Sequence, residues 1–126
     1  MGKIIRTSAS APAPIGPYSQ AVESAGLLFL SGQIGLKGDP PVLAGPGIEA
    51  ETRQVMDNLF AVLSSASMGW DQVVRATIFL VDLEQFGAVN AVYGSYFSGN
   101  FPARETVQVS ALPKGAHVEI SLIAAR

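Results

Sequence analysis

Residues Val73 to Leu83 read Val-Val-Arg-Ala-Thr-Ile-Phe-Leu-Val-Asp-Leu, a stretch rich in β-branched side chains and nearly continuous in apolar character. Strict alternation would mark a strand with one wet face. A run like this marks a central strand covered on both faces. The rest of the chain must therefore supply a layer for it to lie against. One layer is legible upstream, where Ile48, Thr52, Val55, Met56, Leu59, Phe60, Leu63 and Ala66 recur at helical spacing. Glu49, Glu51, Arg53, Asp57 and Asn58 fall on the opposite face. This predicts an amphipathic helix of about 18 residues, ended by Met68-Gly69. Its early Glu49 and Glu51 suit the positive end of the helix dipole. A second, shorter helix is predicted over Phe86 to Phe97, with Phe86, Val89, Tyr93 and Phe97 near one face.

Extended segments surround these helices. Lys3 to Thr7 is predicted as a short first strand. The segment from Ala11 to Pro17 holds three prolines, which bar helix and favour an ordered extended loop. Tyr18 to Ser24 alternates, Ala25-Gly26 signals a turn, and Leu27 to Gln33 is strand-like, so a β-hairpin is expected. Lys37 to Gly47, with three prolines and three glycines, reads as a loop. Arg104 to Leu112 alternates, Pro113 to Ala116 turns the chain, and His117 to Ala124 is the last strand.

The order β-β-β-α-β-α-β-β predicts one α+β domain over residues 1–126, a mixed six-stranded sheet with two helices on one face. The other face of such a sheet also needs cover. Only 14% of residues are charged, against about 25% in an average domain, and mean hydropathy is +0.33. Contact between subunits is the natural cover, and a homo-oligomer is expected.

Several function classes recede. The absence of cysteine excludes disulfides, thiolate catalysis and Cys-ligated zinc, and suits a reducing, cytoplasmic setting. A net charge of −2 without a basic stripe gives no reason to expect a nucleic-acid partner. No apolar run approaches a membrane span, and Met1 to Arg6 has no apolar leader character, so no membrane association is expected. The glycine-rich Ser31 to Gly38 matches neither a Walker loop nor a dinucleotide fingerprint. His117 lacks a ligand-spaced companion, so no metal is expected. A Ser31/His117/Asp82 triad lacks a nucleophile elbow.

Two charged residues stand in apolar surroundings. Arg104 sits where a loop enters a strand, and its planar fork suits a carboxylate held by two charge-assisted hydrogen bonds. The structural alternative is a salt bridge to Glu119 or Glu105. Glu119 lies between Val118 and Ile120, where a carboxylate needs a partner or a shifted pKa. Such a group can position a water or move a proton, or it can serve in a purely structural pair. In a simple hairpin turning at Lys114-Gly115, Glu119 would oppose Ser110, six residues from Arg104 and roughly 20 Å along the strand. The two can then share a substrate only if another strand lies between them or a neighbouring subunit brings them together.

Ile15-Gly16-Pro17-Tyr18-Ser19-Gln20-Ala21, Ser31-Gly32-Gln33, Val89-Asn90-Ala91-Val92-Tyr93, Phe101-Pro102-Ala103-Arg104, Leu112-Pro113-Lys114-Gly115 and Val118-Glu119-Ile120 occur together. As a set they resemble the reactive intermediate deaminase family, also called YjgF-like or endoribonuclease L-PSP, and within it the RidA subgroup. The resemblance implies a chorismate-mutase-like fold and homotrimers whose sheets face inward, with sites in clefts between subunits. It implies hydrolysis of reactive 2-imino (enamine) acids, such as 2-iminopropanoate and 2-iminobutanoate, to 2-keto acids and ammonia, without metal or cofactor. By that resemblance Arg104 binds the substrate carboxylate and Glu119 positions the attacking water. Tyr18 and Asn90 line the cleft and orient substrate or water, Ser31 and Gly32 form its wall, and Thr106 stands where many members have Cys. Glu105 and Ser121 depart from the common pattern, and Glu105 is expected to point to the opposite face from Arg104. Two other functions fit the same fold. One is a non-catalytic regulatory module that binds a small carboxylate. The other is the endoribonuclease or translation-inhibitor role in the older family name, for which the chain shows no His pair or basic groove.

Overall fold

The computed structural model describes residues 2–126. In chain order its elements are β1 (Ile4–Arg6), β2 (Ala21–Ser24), β3 (Leu27–Gln33), β4 (Leu36–Lys37), β5 (Val42–Leu43), α1 (Gly47–Ser65), β6 (Val73–Leu80), α2 (Phe86–Gly94), β7 (Ala103–Gln108) and β8 (Val118–Ala125). Six strands form one mixed sheet in the order β1-β2-β3-β8-β6-β7. Only β6 and β7 run parallel, joined through α2. The β2–β3 hairpin turns at Ala25 and Gly26, both at positive φ (54° and 79°), the geometry of a two-residue hairpin loop.

Two expectations change. The segment read as a loop over Lys37 to Gly47 carries a small separate hairpin, β4 with β5. The element order is thus β-β-β-β-β-α-β-α-β-β, with the six-stranded main sheet as expected. Strands of two residues are too short to show a period, so the prolines and glycines around them dominated the signal. The second change concerns β6. Ala76, Ile78 and Leu80 are fully buried, but the residues between them are only half-covered and Val74 is exposed. Within one chain β6 is therefore covered on one face only, although its sequence is that of a strand covered on both.

The covered face holds the core. Val55, Met56, Leu59, Val62 and Leu63 of α1 pack on Leu28 and Leu30 of β3, Ala76, Ile78 and Leu80 of β6, and Val118, Ile120, Leu122 and Ala124 of β8. Truncating a fully buried leucine here, such as Leu59→Ala, costs about 2–5 kcal/mol. The other face carries Ile5, Val22, Phe29 and Ile123 in one cross-strand row, with Phe79 and Val107 in another. Ile5, Phe29 and Val107 are 40–49% exposed, so these apolar side chains are uncovered, with Arg75 and Glu119 in register in the same rows.

Two polar residues of α1 reverse their expected side. Glu51 and Asn58, placed on the solvent face by spacing, are 4% and 2% exposed. Asn58 Nδ2 donates to the carbonyls of Ile34 and Leu36 at 3.1 and 3.0 Å. The Glu51 carboxylate accepts from the His117 backbone N–H at 2.7 Å and meets His117 Nδ1 at 2.8 Å. Buried polar groups are held by partners, and here the partners are loop backbone that no helical period can show. Gly35 lets that loop come close. A Cβ on Gly35 would lie 2.7 Å from the Glu51 carbonyl oxygen.

Candidate active site

The predicted site residues separate into two groups on opposite faces of the sheet. Arg104 pairs in register with Ala76, and Glu119 pairs with Phe79. Because β6 lies between β7 and β8, neither a simple hairpin nor the ladder brings the two side chains together. Ala76 belongs to the helix-covered face and Phe79 to the uncovered one. Arg104 and Glu119 are three β6 residues and two strand spacings apart, roughly 14 Å at Cα, and point in opposite directions.

The first group surrounds a cleft of about 360 Å³ lined by Tyr18, Ser31, Gly32 and Glu119 together with Pro12, Ala13, Ile15, Ile34 and Pro113. It exists because β3 breaks its ladder with β8 between Leu30 and Gln33. Ser31 and Gly32 leave the register at that point. The Ser31 backbone N–H donates to Gln20 O at 2.9 Å, and its hydroxyl donates to Ser19 O at 2.6 Å. The Ser31 proton thus holds the loop in place. Gly32 lies against Glu119, where a Cβ would overlap the carboxylate and stand 2.8 Å from Cδ. Burial alone pushes the Glu119 carboxyl above its ordinary range. Among the described residues Glu119 forms no ion pair.

The proline-rich loop reaches this cleft through Gln20. Its Oε1 accepts from the Ser8 N–H at 2.6 Å, and its Nε2 donates to the carbonyls of Pro12 and Ser8 at 2.9 and 3.2 Å. A 2% exposed amide thereby ties the loop to β2 and presents Pro12, Ile15 and Tyr18 to Glu119. Spacing carries no sign of this role. The available signal was an amide next to a segment whose backbone cannot pair with a sheet.

The second group lies under α2. Arg104 Nη1 donates to Asn90 Oδ1 at 2.6 Å, so neither Glu105 nor Glu119 takes it as a salt-bridge partner. Glu105 points to the opposite face, as strand alternation requires, and pairs with Arg75. A depression of about 350 Å³ is lined by Asn90, Tyr93, Gly94, Phe101, Pro102 and Arg104. Thr106 Oγ1 and Tyr93 Oη are buried and without hydrogen-bond partners among the described residues. Burial pushes the Tyr93 phenol up, partly opposed by the positive charge of Arg104.

The remaining sequence candidates have other work. The Asp82 carboxylate accepts from the Glu84 N–H at 2.9 Å, and His117 pairs with Glu51, so these two and Ser31 do not converge. No helix among the described residues is long and apolar enough to cross a membrane.

Similarity to known proteins covers this whole architecture. Residues 8–126 match the family model described as Endoribonuclease L-PSP. The chain belongs to that family. This L-PSP member is 44% identical to the mouse protein named 2-iminobutanoate/2-iminopropanoate deaminase, over 97% of this chain and 90% of the mouse protein. A crystal structure of a Rid-family protein, YyfA from Yersinia pestis, superposes with a TM-score of 0.95 at 47% identity, covering 99% of this chain and 100% of that one. The E. coli protein TdcF, solved with bound serine, superposes at 0.93 with 32% identity and 98% coverage of each chain.

Proposed function

We propose that this L-PSP family member is a hydrolase that deaminates reactive 2-imino acids to 2-keto acids and ammonia, at sites shared between subunits of a homotrimer. The observation that carries the reading is a pair of uncompensated charges. Arg104 is a cation whose hydrogen-bond partner is a neutral amide, and Glu119 is a half-buried carboxylate without a cation partner among the described residues. Relatives named for this activity support the substrate class. The ribonuclease reading draws on the family description and on solved relatives named as endoribonucleases, but a chain with one histidine and no basic stripe supplies no machinery for it. No relative's name favours the regulatory module.

The residues suffice for the chemistry. Arg104 binds the substrate carboxylate through its fork. Glu119 holds a water against C2 of the imine and takes one of its protons as the C–O bond forms. That proton passes to nitrogen, Glu119 relays the remaining proton of the added hydroxyl to nitrogen as well, and the C–N bond breaks as the carbonyl forms, so ammonia leaves with both protons of the water. A carboxyl raised by its surroundings holds a proton more readily, which suits a group that both takes and returns one. Tyr18, Ser31 and Gly32 shape the wall around that water, and Asn90 and Thr106 attend the carboxylate end. The iminium carbon is already electrophilic, so positioning does most of the catalysis. Neither metal nor cofactor is needed. The cysteine-free composition fits the reducing cytoplasm.

One chain keeps Arg104 and Glu119 on opposite faces, so a second copy completes the site. The uncovered apolar face of the sheet and the low charge content support a second copy as its cover. The test generates 2-iminopropanoate with an amino-acid oxidase and follows its removal in competition with semicarbazide. Wild type accelerates keto-acid release, and Arg104→Ala loses about 100-fold or more in kcat/KM while keeping its oligomeric state. An Arg104→Ala protein with full turnover sinks the assignment. Co-assembling Arg104→Ala with Glu119→Gln subunits restores about a quarter of wild-type activity if sites are shared around a ring, because one interface type in four is intact. No restoration means that each chain builds its site alone.

A further inference from the structure

Arg104 differs from the paired arginines of this chain in what holds it. Arg6 and Arg126 grip Glu23, and Arg75 grips Glu105. Arg104 forms no ion pair among the described residues. Three residues of α2 receive it instead. Its Nη1 donates to Asn90, and its Cζ stands 5.5 Å from the Phe86 ring centroid and 5.1 Å from that of Tyr93. Phe86 and Tyr93 are seven residues apart, about 10 Å along a helix axis. The two centroid distances therefore place the guanidinium between the rings. Phe86, Asn90 and Tyr93 follow the i, i+4, i+7 pattern that puts three side chains on one helix face.

The choice of partners has a chemical consequence. A carboxylate would neutralise the guanidinium and fill its fork. A neutral amide and two aromatic faces hold the same group with its charge intact. Asn90 takes one Nη1 proton and leaves the whole Nε–Nη2 edge free for a planar anion.

We infer that Phe86, Asn90 and Tyr93 are positioning residues that fix the plane of Arg104 and decide which of its edges meets the substrate carboxylate. The inference rests on the carboxylate-binding role given to Arg104 above. It assigns Asn90 to the arginine, not to substrate or water. It assigns Tyr93 a role through its ring, since its hydroxyl has no partner among the described residues.

The experiment compares Asn90→Ala, Tyr93→Leu and Tyr93→Phe in the full-length protein. Asn90→Ala raises KM for 2-iminopropanoate about tenfold or more with little change in kcat, the size of one lost charge-assisted hydrogen bond. Tyr93→Leu raises KM severalfold, and Tyr93→Phe restores the wild-type value. Equal damage in Tyr93→Phe and Tyr93→Leu overturns the ring's role, because the hydroxyl would then be the active part. An unchanged KM in Asn90→Ala overturns the role of the amide. A second readout needs no substrate. Nitrogen-15 NMR of the Arg104 side chain shows restricted rotation about Cζ–Nη1 in wild type and faster rotation in Asn90→Ala. Equal rotation in both defeats the clamp itself. Full turnover by Arg104→Ala defeats only the carboxylate role beneath it, so the two failures are told apart.

Discussion

Glu23 and Glu119 are carboxylates on strands of the same sheet, and they are treated in opposite ways. Glu23 lies on the helix-covered face, in β2. It accepts from Arg126 Nε at 2.6 Å and from Arg6 Nη2 at 2.8 Å, while Arg126 Nη2 also donates to Ala66 O at 2.7 Å. The hydrogen bonds from Arg126, and then those from Arg6, hold its carboxyl down at about 2 against the opposing effect of burial. That network joins the first strand, the C-terminal residue and the end of α1. Glu119 lies on the uncovered face with no ion-pair partner among the described residues, and burial moves its carboxyl the other way. A compensated charge fastens the fold. An uncompensated one lowers stability and is retained for a ligand or a reaction.

Four substitutions break or sharpen this contrast. Glu119→Gln has the largest expected effect, a loss of about 100-fold in kcat from removing the proton acceptor. Its thermal midpoint stays level or rises, because a group whose folded pKa is raised destabilises the folded state once it ionises. A clear fall in the midpoint would show that Glu119 is a structural anchor like Glu23. Gly32→Ala comes next. The new methyl overlaps the end of a flexible side chain, so the fold persists while the Glu119 carboxylate is displaced. The expected loss in kcat is about tenfold, and wild-type turnover would mean that the carboxylate works from another position.

Glu23→Gln reverses the pattern, keeping turnover and lowering the thermal midpoint by several degrees. The sign with pH follows from its depressed pKa. The unfolded chain takes up the proton near the ordinary value of 4.5 and the folded chain only near about 2. The stabilisation by Glu23 is therefore present above that window and is lost as pH falls through it. Melting curves of wild type and Glu23→Gln should converge from pH 4.5 downward, and parallel curves would remove the ion pairs as the cause. Thr106→Val has the smallest effect. Its Oγ1 is buried without a partner among the described residues, so stability changes by less than about 1 kcal/mol. KM rises roughly threefold if the hydroxyl meets the substrate, and an unchanged KM removes Thr106 from the site.

Much of the fold is legible in local pattern. The helical spacing from Ile48 to Ala66 corresponds to α1, and the Ala25-Gly26 signal corresponds to the β2–β3 turn. Apart from the short β4–β5 hairpin, whose two-residue strands show no period, what escaped was non-local. Glu51 and Asn58 look solvated by period and are buried because loop carbonyls and N–H groups require them. The candidate site residues were individually visible, since an arginine entering a strand and a glutamate in an apolar run are conspicuous. Their relation was not visible, because register and strand order decide which face each one occupies.

The sequence by itself determined both helices and most strands of the main sheet, the oddity of Arg104 and Glu119, and the apolar character of β6 on both its faces. Each of these follows from period, composition or the chemistry of single residues. Tertiary structure decided that β6 separates β7 from β8, that Asn90 and two aromatic rings hold Arg104, and that Gly32 makes room for Glu119. Those are contacts between residues distant in sequence or brought together by packing. Side-chain spacing records only which way a residue faces along its own element, and says nothing of what stands opposite.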